Sequence, residues 1–214
     1  AIAIRKPNEI EKLRDANRIV AKTLNYLREN VKAGMTLNEV NQMGDDFIVS
    51  CGARPSFKGL YGFPGSICTS LNEVIIHGIP NDTILKEGDI LGLDIGTELD
   101  GWYGDAAITM PIGKISKADE ELIACAKDSL YFAIDIIKEG MRFKELSLEI
   151  EKFIKGRGYQ PLVRFCGHGI GKKPHEDPEI PNYLEHGLPK SGPKIKNGMV
   201  FCLEPMICQK GKEP

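Results

Sequence analysis

An internal repeat is the feature of this sequence that most constrains its fold. Residues 31–52 align with residues 137–158 at an offset of 106, with seven identities that include Gly34 with Gly140. Farther along, GDILGLD at 88–94 aligns with GMVFCLE at 198–204 at an offset of 110. Each copy therefore combines amphipathic helices with a strand that carries an acidic residue. The repeat predicts two related halves, roughly residues 8–111 and 116–208, with their acidic strand ends close together.

The predicted elements follow the same order in both halves. Helices are predicted from Asn8, from Thr36 to Gly52, from Ser116 to about Lys138 and over 143–155, and β-type runs at 74–77, 90–97, 102–111 and 199–207. Residues 53–72 are rich in Gly, Pro and Ser and predict an ordered loop. We expect an α/β (α+β) fold in one domain, 1–214, with two pseudo-symmetric halves around a central antiparallel sheet.

The repeat also predicts that carboxyl-terminal strands are missing from the 214 residues. The counterpart of Asp105 would fall at position 215, one residue past the last. The strand that should return to pair with the run at 199–207 would then be absent. That run is expected to be an exposed apolar edge.

Composition narrows the classes of function. Lys and Arg total 28 against 30 Asp and Glu, so no basic excess favours nucleic acid or an anionic membrane. No apolar run approaches the roughly 18 residues that span a membrane, and the first residues lack a signal-peptide core. The six cysteines include no C-x-x-C pair, which argues against a structural zinc knuckle, and their wide spacing without a secretion signal predicts reduced thiols. A cytoplasmic protein is expected.

Two aspartates flank a strong hairpin signal. Asp94 ends an apolar run, Asp105 follows Gly104, and the turn pair Asp100-Gly101 lies between them. If the carboxylates are cross-strand neighbours about 5 Å apart, they repel by about 3 kcal/mol at an effective dielectric near 20. Either a proton or a cation would relieve that repulsion. The alternative is that Asp105 faces solvent, or that the register slips.

The histidines favour a bound cation over a proton as the group that relieves the repulsion between Asp94 and Asp105. His77 follows an apolar run, His168 lies between two glycines, and His175 follows within seven residues, so three histidines are expected at loop edges. Imidazole together with carboxylate suits Zn, Mn, Fe or Co better than Ca or Mg. Any one of these histidines alone is more often structural than a ligand. In combination with Asp94 and Asp105 they predict a metal site.

Five segments together resemble bacterial type I methionine aminopeptidase. They are NEVIIHGIP at 72–80, GWYGD at 101–105, CGHGIG at 166–171, HEDP at 175–178 and MVFCLEPM at 199–206. The resemblance covers nearly the whole chain, in the same order as in the family. It implies the pita-bread fold and a centre of two divalent metal ions, Co, Mn, Fe or Zn, that removes the initiator methionine.

The resemblance also implies roles for individual residues. The implied metal ligands are Asp94, Asp105, His168 and Glu204. The implied catalytic residues are His77, His175 and Glu204, with both histidines contacting substrate and Glu204 moving a proton. The implied pocket for the methionine side chain is lined by Phe57, Leu60, Phe63 and Cys68. A further bridging glutamate of the family is not found within the 214 residues.

The expected partner is the amino-terminal methionine of nascent peptides whose next residue is small. Transient contact with the ribosome and a monomeric state are also expected, without a membrane or a specific nucleic acid. Two alternatives stay open. One is a prolidase-like or aminopeptidase P-like peptidase, although those proteins normally carry an extra amino-terminal domain. The other is a catalytically silent pita-bread protein that serves as a binding module.

Overall fold

Four α-helices form within the described residues, 1–74 and 77–212, of the computed structural model. They are α1 (Pro7–Asn30), α2 (Leu37–Ser50), α3 (Lys117–Ile136) and α4 (Phe143–Gly156). Thr36 Oγ1 accepts a hydrogen bond from the Glu39 backbone N–H at 3.1 Å, which confirms the predicted cap of α2. The cap predicted at Asn8 is wrong, because α1 already begins at Pro7, whose fixed φ suits the first helical position.

The strands of the described residues form three antiparallel sheets. They are β1 (Arg54–Pro55), β2 (Cys68–Leu71), β3 (Ile90–Leu99), β4 (Trp102–Pro111), β5 (Tyr159–Pro161), β6 (Cys166–Gly169), β7 (Glu176–Pro181), β8 (Phe201–Cys202) and β9 (Ile207–Gln209). One sheet pairs β3 with β4 along its length and with β2 and β1 on the other edge. The second sheet has the order β7-β6-β8, and the third pairs β5 with β9.

The chain divides into two compact units. The amino-terminal unit comprises Asn8–Asp119 with Gly171–Pro174, and the carboxyl-terminal unit comprises Ala1–Pro7, Glu120–Ile170 and His175–Pro214. Each unit has its own apolar core, formed in the first by α1, α2 and the four-stranded sheet and in the second mainly by α4 and neighbouring segments. The prediction of one domain with two halves stays a prediction.

The repeat recurs in the backbone hydrogen bonds of each unit. Gly34 N–H donates to the Leu85 carbonyl at 2.8 Å, and Gly140 N–H donates to the Ile195 carbonyl at 2.8 Å. Helices α2 and α4 follow these glycines at the same offset of 106, and each has 14 residues. The sequence repeat therefore corresponds to repeated local structure.

On strand β3, the apolar side chains and Asp94 lie on opposite faces. Leu91, Leu93 and Ile95 are fully buried, and burying each contributes about 1.5–3 kcal/mol. Because side chains alternate along a strand, Asp94 points to the opposite face, where it is half-buried. The apolar run therefore does not bury the aspartate in the core.

Two of the predicted runs and the predicted loop differ from the structure. The run at 199–207 is interrupted: β8 pairs with β6, β9 pairs with β5, and Pro205 between them has no N–H to donate to a ladder. The predicted loop at 53–72 contains β1, β2 and a short 3₁₀ turn, Leu60–Gly62. Of the run at 74–77, Val74 and His77 lie outside any strand, and residues 75 and 76 lie outside the described residues.

Within the described residues, the six cysteines form no disulfide bond. Within 1–74 and 77–212, no helix combines the length and the apolar character needed to cross a membrane.

Candidate metal centre

The two aspartates predicted to bind metal lie on the hairpin of β3 and β4. The Asp-Gly turn at 100–101 has φ values of 51° and 83°, as the predicted turn requires. Asp94 lies opposite Ala107, and Asp105 lies opposite Gly96. The aspartates are therefore diagonal neighbours on one face and not directly opposite one another. At the 7–8 Å typical of diagonal positions, two charges repel by about 2 kcal/mol with an effective dielectric near 20.

Cys68 lies on the same face of this sheet. It is directly opposite Asp94 on β2 and is 3% exposed. Burial raises the pKa of the Cys68 thiol, and the charges of Asp94 and Asp105 raise it further. The thiol is therefore neutral, mainly because it is buried, and the two aspartates add a negative potential at this face. A divalent cation would stabilise such a face.

Helix α1 forms hydrogen bonds to both strands of the β3–β4 hairpin. The backbone N–H of Asp105 donates to Asn17 Oδ1 at 3.1 Å, and Thr97 Oγ1 donates to the Ala16 carbonyl at 2.8 Å. Gly104 permits this approach, because a Cβ there would lie 2.8 Å from the Ala16 carbonyl oxygen. Asn17 was missed in the sequence, since it lies 88 residues from Asp105 and leaves no local signal.

The four residues predicted to line a side-chain pocket all lie in the amino-terminal unit. Phe57 packs against Gly96, where an added Cβ would come within 3.0 Å of the ring. Gly96 therefore leaves room for an aromatic ring on the face that carries the aspartates. The backbone N–H of Phe63 donates to the Leu60 carbonyl at 2.9 Å and closes the short 3₁₀ turn. Their role as a pocket stays a prediction.

His168 lies within β6, the central strand of its sheet, and is 6% exposed. The prediction of a loop-edge histidine is wrong here, because the flanking glycines let two neighbouring strands approach. A Cβ at Gly167 would come within 3.0 Å of the Cys202 carbonyl oxygen, and one at Gly169 within 3.0 Å of the Asp177 carbonyl oxygen. The backbones of β7 and β8 therefore approach β6 closely at these two glycines.

The imidazole of His168 is oriented toward Glu204. Its Nδ1 lies 2.9 Å from the Gly169 carbonyl oxygen, and because a carbonyl only accepts, Nδ1 carries a hydrogen. Nε2 lies 3.2 Å from Glu204 Oε2. A neutral imidazole would present its Nε2 lone pair beside a carboxylate, an arrangement that a shared cation stabilises. Metal-binding histidines characteristically have the other ring nitrogen fixed in this way.

The other two candidate histidines are exposed. His175 directly precedes β7, and its ring centroid lies 4.4 Å from that of His168. His77 has a φ of 56°, and the next residue, Gly78, donates its N–H to Ser70 Oγ at 3.0 Å. The backbone beside His77 is thus held against β2 while the imidazole is open to solvent.

Each unit therefore presents part of the predicted ligand set. The amino-terminal unit has Asp94 and Asp105 on one face of its sheet, and the carboxyl-terminal unit has His168 beside Glu204. Carboxylate oxygens and an imidazole nitrogen are donors that suit Mn, Fe, Co and Zn. The chemistry of these donors fits a divalent metal ion.

Comparison with known proteins identifies related chains. A sequence profile described as Metallopeptidase family M24 matches residues 11–213. A protein named methionine aminopeptidase from Helicobacter pylori is 62% identical over 215 residues, which cover 100% of this chain and 85% of that protein. The crystal structure of methionine aminopeptidase from Rickettsia prowazekii is 36% identical, with a TM-score of 0.93 over 97% of this chain and 82% of that chain.

A more distant structure shares the fold alone. Prolidase from Pyrococcus furiosus is 24% identical, with a TM-score of 0.81 over 97% of this chain and 58% of that chain. Together with the profile and the closer match, this similarity confirms the predicted pita-bread fold of mixed helices and antiparallel sheets.

Proposed function

The chain belongs to metallopeptidase family M24, and from this premise we propose that it is a methionyl aminopeptidase. It hydrolyses the peptide bond after an amino-terminal methionine when the next residue is small. The observation that carries the proposal is the orientation of His168, whose Nδ1 is fixed by a carbonyl while Nε2 faces the Glu204 carboxylate. Relatives of high identity over most of their length bear the name of this activity.

The proposed metal ligands are Asp94, Asp105, His168 and Glu204. They would hold two divalent ions, Co, Mn, Fe or Zn. The two aspartates lie on one face of the sheet and create a negative potential there, which a cation would offset. The hydrogen bond from His168 Nδ1 to the Gly169 carbonyl supports Nε2 as the metal-binding nitrogen.

The chain's own residues have distinct roles in the proposed reaction. When bound, divalent ions lower the pKa of water and polarise the scissile carbonyl. Glu204 moves a proton from the attacking water to the leaving nitrogen. His175 donates a hydrogen bond to the developing oxyanion, and His77 holds the scissile amide or that nitrogen. The exposed position of both imidazoles leaves them accessible to a peptide.

Selectivity for methionine is proposed to come from Phe57, Leu60, Phe63 and Cys68. Phe57 lies against Gly96 and Cys68 lies opposite Asp94, so both are next to the face that carries the carboxylates. A neutral thiol and aromatic rings provide an apolar surface for an unbranched thioether side chain. The Leu60–Gly62 turn ends beside Phe63 and gives this segment a defined conformation.

The proposed setting is the cytoplasm, where the chain acts as a monomer on nascent peptides, in transient contact with the ribosome. The two alternatives are less well supported. The similarity to a prolidase concerns the fold alone. A silent binding module is not favoured, because all four proposed ligands are retained.

The test is release of methionine from Met-Ala-Ser and Met-Lys-Ser by the purified chain supplied with Mn²⁺ or Co²⁺. We expect release from the first peptide, little from the second, and none from either peptide once EDTA has removed the metal. An Xaa-Pro dipeptide serves as the control substrate for prolidase activity. Cleavage of that dipeptide without release of methionine, or no metal-dependent release at all, would contradict the proposal.

A further inference from the structure

We propose that Asn182 is a positioning residue that holds Glu204 where its carboxylate faces His168. This inference rests on the proposed function only in taking Glu204 as a metal ligand. Asn182 follows the last residue of β7 and is fully buried. Its Nδ2 donates to the Glu204 carbonyl oxygen at 2.7 Å.

The hydrogen bond between Asn182 and Glu204 holds the chain just beyond the end of the β6–β8 pairing. The pairing of β8 with β6 stops at Cys202, two residues before Glu204. Farther along the chain, the Met206 carbonyl oxygen accepts a hydrogen bond from the Leu162 N–H at 2.8 Å. Between these two points the Asn182 amide holds the backbone of the residue whose side chain lies 3.2 Å from the His168 imidazole.

Asn182 is a polar side chain in a fully buried position, which packing alone does not explain. Within the part of the chain that the structure describes, Asn182 Oδ1 is buried and has no hydrogen-bond donor. Burying an amide side chain costs free energy that an apolar side chain of similar size would avoid. The hydrogen bond to Glu204 gives a reason for an amide at this position, because only a donor can hold that carbonyl.

The matched pair of substitutions is Asn182→Leu and Ser129→Ala. Leucine keeps much of the volume of the asparagine and removes the donor. Ser129 is also fully buried in the carboxyl-terminal unit, and its Oγ donates to the Cys125 backbone carbonyl at 2.6 Å. Both changes therefore remove one buried side-chain hydrogen bond to a backbone carbonyl, but only the first of these bonds holds Glu204.

The readout is the dissociation constant for Mn²⁺ alone, measured by calorimetric titration of the metal-free full chain. Loss of a residue that orients a ligand typically weakens metal binding about 10- to 100-fold, so we expect that loss for Asn182→Leu and none for Ser129→Ala. In the double variant Asn182→Leu with Glu204→Gln, binding should be no weaker than with Glu204→Gln alone. A merely structural role would not produce this coupling.

Binding by Asn182→Leu within twofold of the unchanged chain would overturn the positioning role. Unchanged binding by Glu204→Gln would instead contradict the proposed ligand set and this inference with it, so the two failures are distinguishable. If Asn182→Leu does not fold, Asn182→Ser is the second variant. Its hydroxyl is too short to make the same contact, and unchanged metal binding by it would equally overturn the proposal.

Discussion

Replacing Gly167 by alanine should separate β8 from β6 and destabilise the carboxyl-terminal unit. An added Cβ would come within 3.0 Å of the Cys202 carbonyl oxygen and 3.2 Å from the Leu203 Cα, both of which are backbone atoms. The β6–β8 ladder fixes these atoms through two residue pairs, so the collision cannot be relieved by rotating a side chain. Overpacking of this kind costs about 1–3 kcal/mol. For a chain of this length that lowers Tm by roughly 2–12 °C.

The matched control is Gly156→Ala at the end of α4. No atom lies within 4 Å of a Cβ at this position, and its φ lies outside the left-handed region. Alanine should therefore stabilise the helix by about 0.5–1 kcal/mol, which raises Tm by roughly 1–4 °C. Thermal unfolding of both metal-free variants, followed by circular dichroism, makes the comparison. Equal Tm values for Gly167→Ala and Gly156→Ala would refute the reasoning from the close approach of the strands.

Three further predictions concern the site, a salt bridge and a helix cap. Asp105→Asn should abolish methionine release while leaving the far-UV dichroism nearly unchanged, and normal turnover would remove Asp105 from the centre. Hydrogen bonds from Arg54 and Tyr103 lower the pKa of Glu98. Unfolding in urea should therefore show a loss of about 1 kcal/mol for Glu98→Gln at pH 7 that disappears as the pH falls below the folded-state pKa of Glu98; the same loss at pH 3 would argue against that ion pair. Thr36→Ala should cost about 1 kcal/mol in urea unfolding through loss of the α2 cap, and an unchanged midpoint would contradict the capping role.

Much of the local structure could be predicted because local chemistry determines it. The Asp-Gly pair at 100–101 forms the predicted hairpin turn, and Thr36 caps α2 as predicted. The turn also fixes the register, since Leu99 pairs with Trp102 and this pairing shifts Asp94 to a position opposite Ala107. The diagonal relation of the two aspartates therefore follows from the position of the turn.

The contacts that orient the site could not be read from the sequence. Asn17 and Asn182 each hold the backbone of a predicted ligand through a side chain distant in sequence. The strand that contains His168 is also hard to predict, since two of its four residues are glycines, which strands generally disfavour. These glycines are required by the approach of neighbouring backbones, which only the tertiary structure reveals.

Four side chains of this sequence are proposed to hold the metal ions of a methionyl aminopeptidase. Anomalous diffraction at the manganese edge, from crystals of the chain grown with Mn²⁺, tests this proposal most directly. We expect anomalous peaks within coordination distance of the side-chain donors of Asp94, Asp105, His168 and Glu204. Manganese bound elsewhere, with these four side chains making no contact to it, would show that the proposed ligand set is wrong.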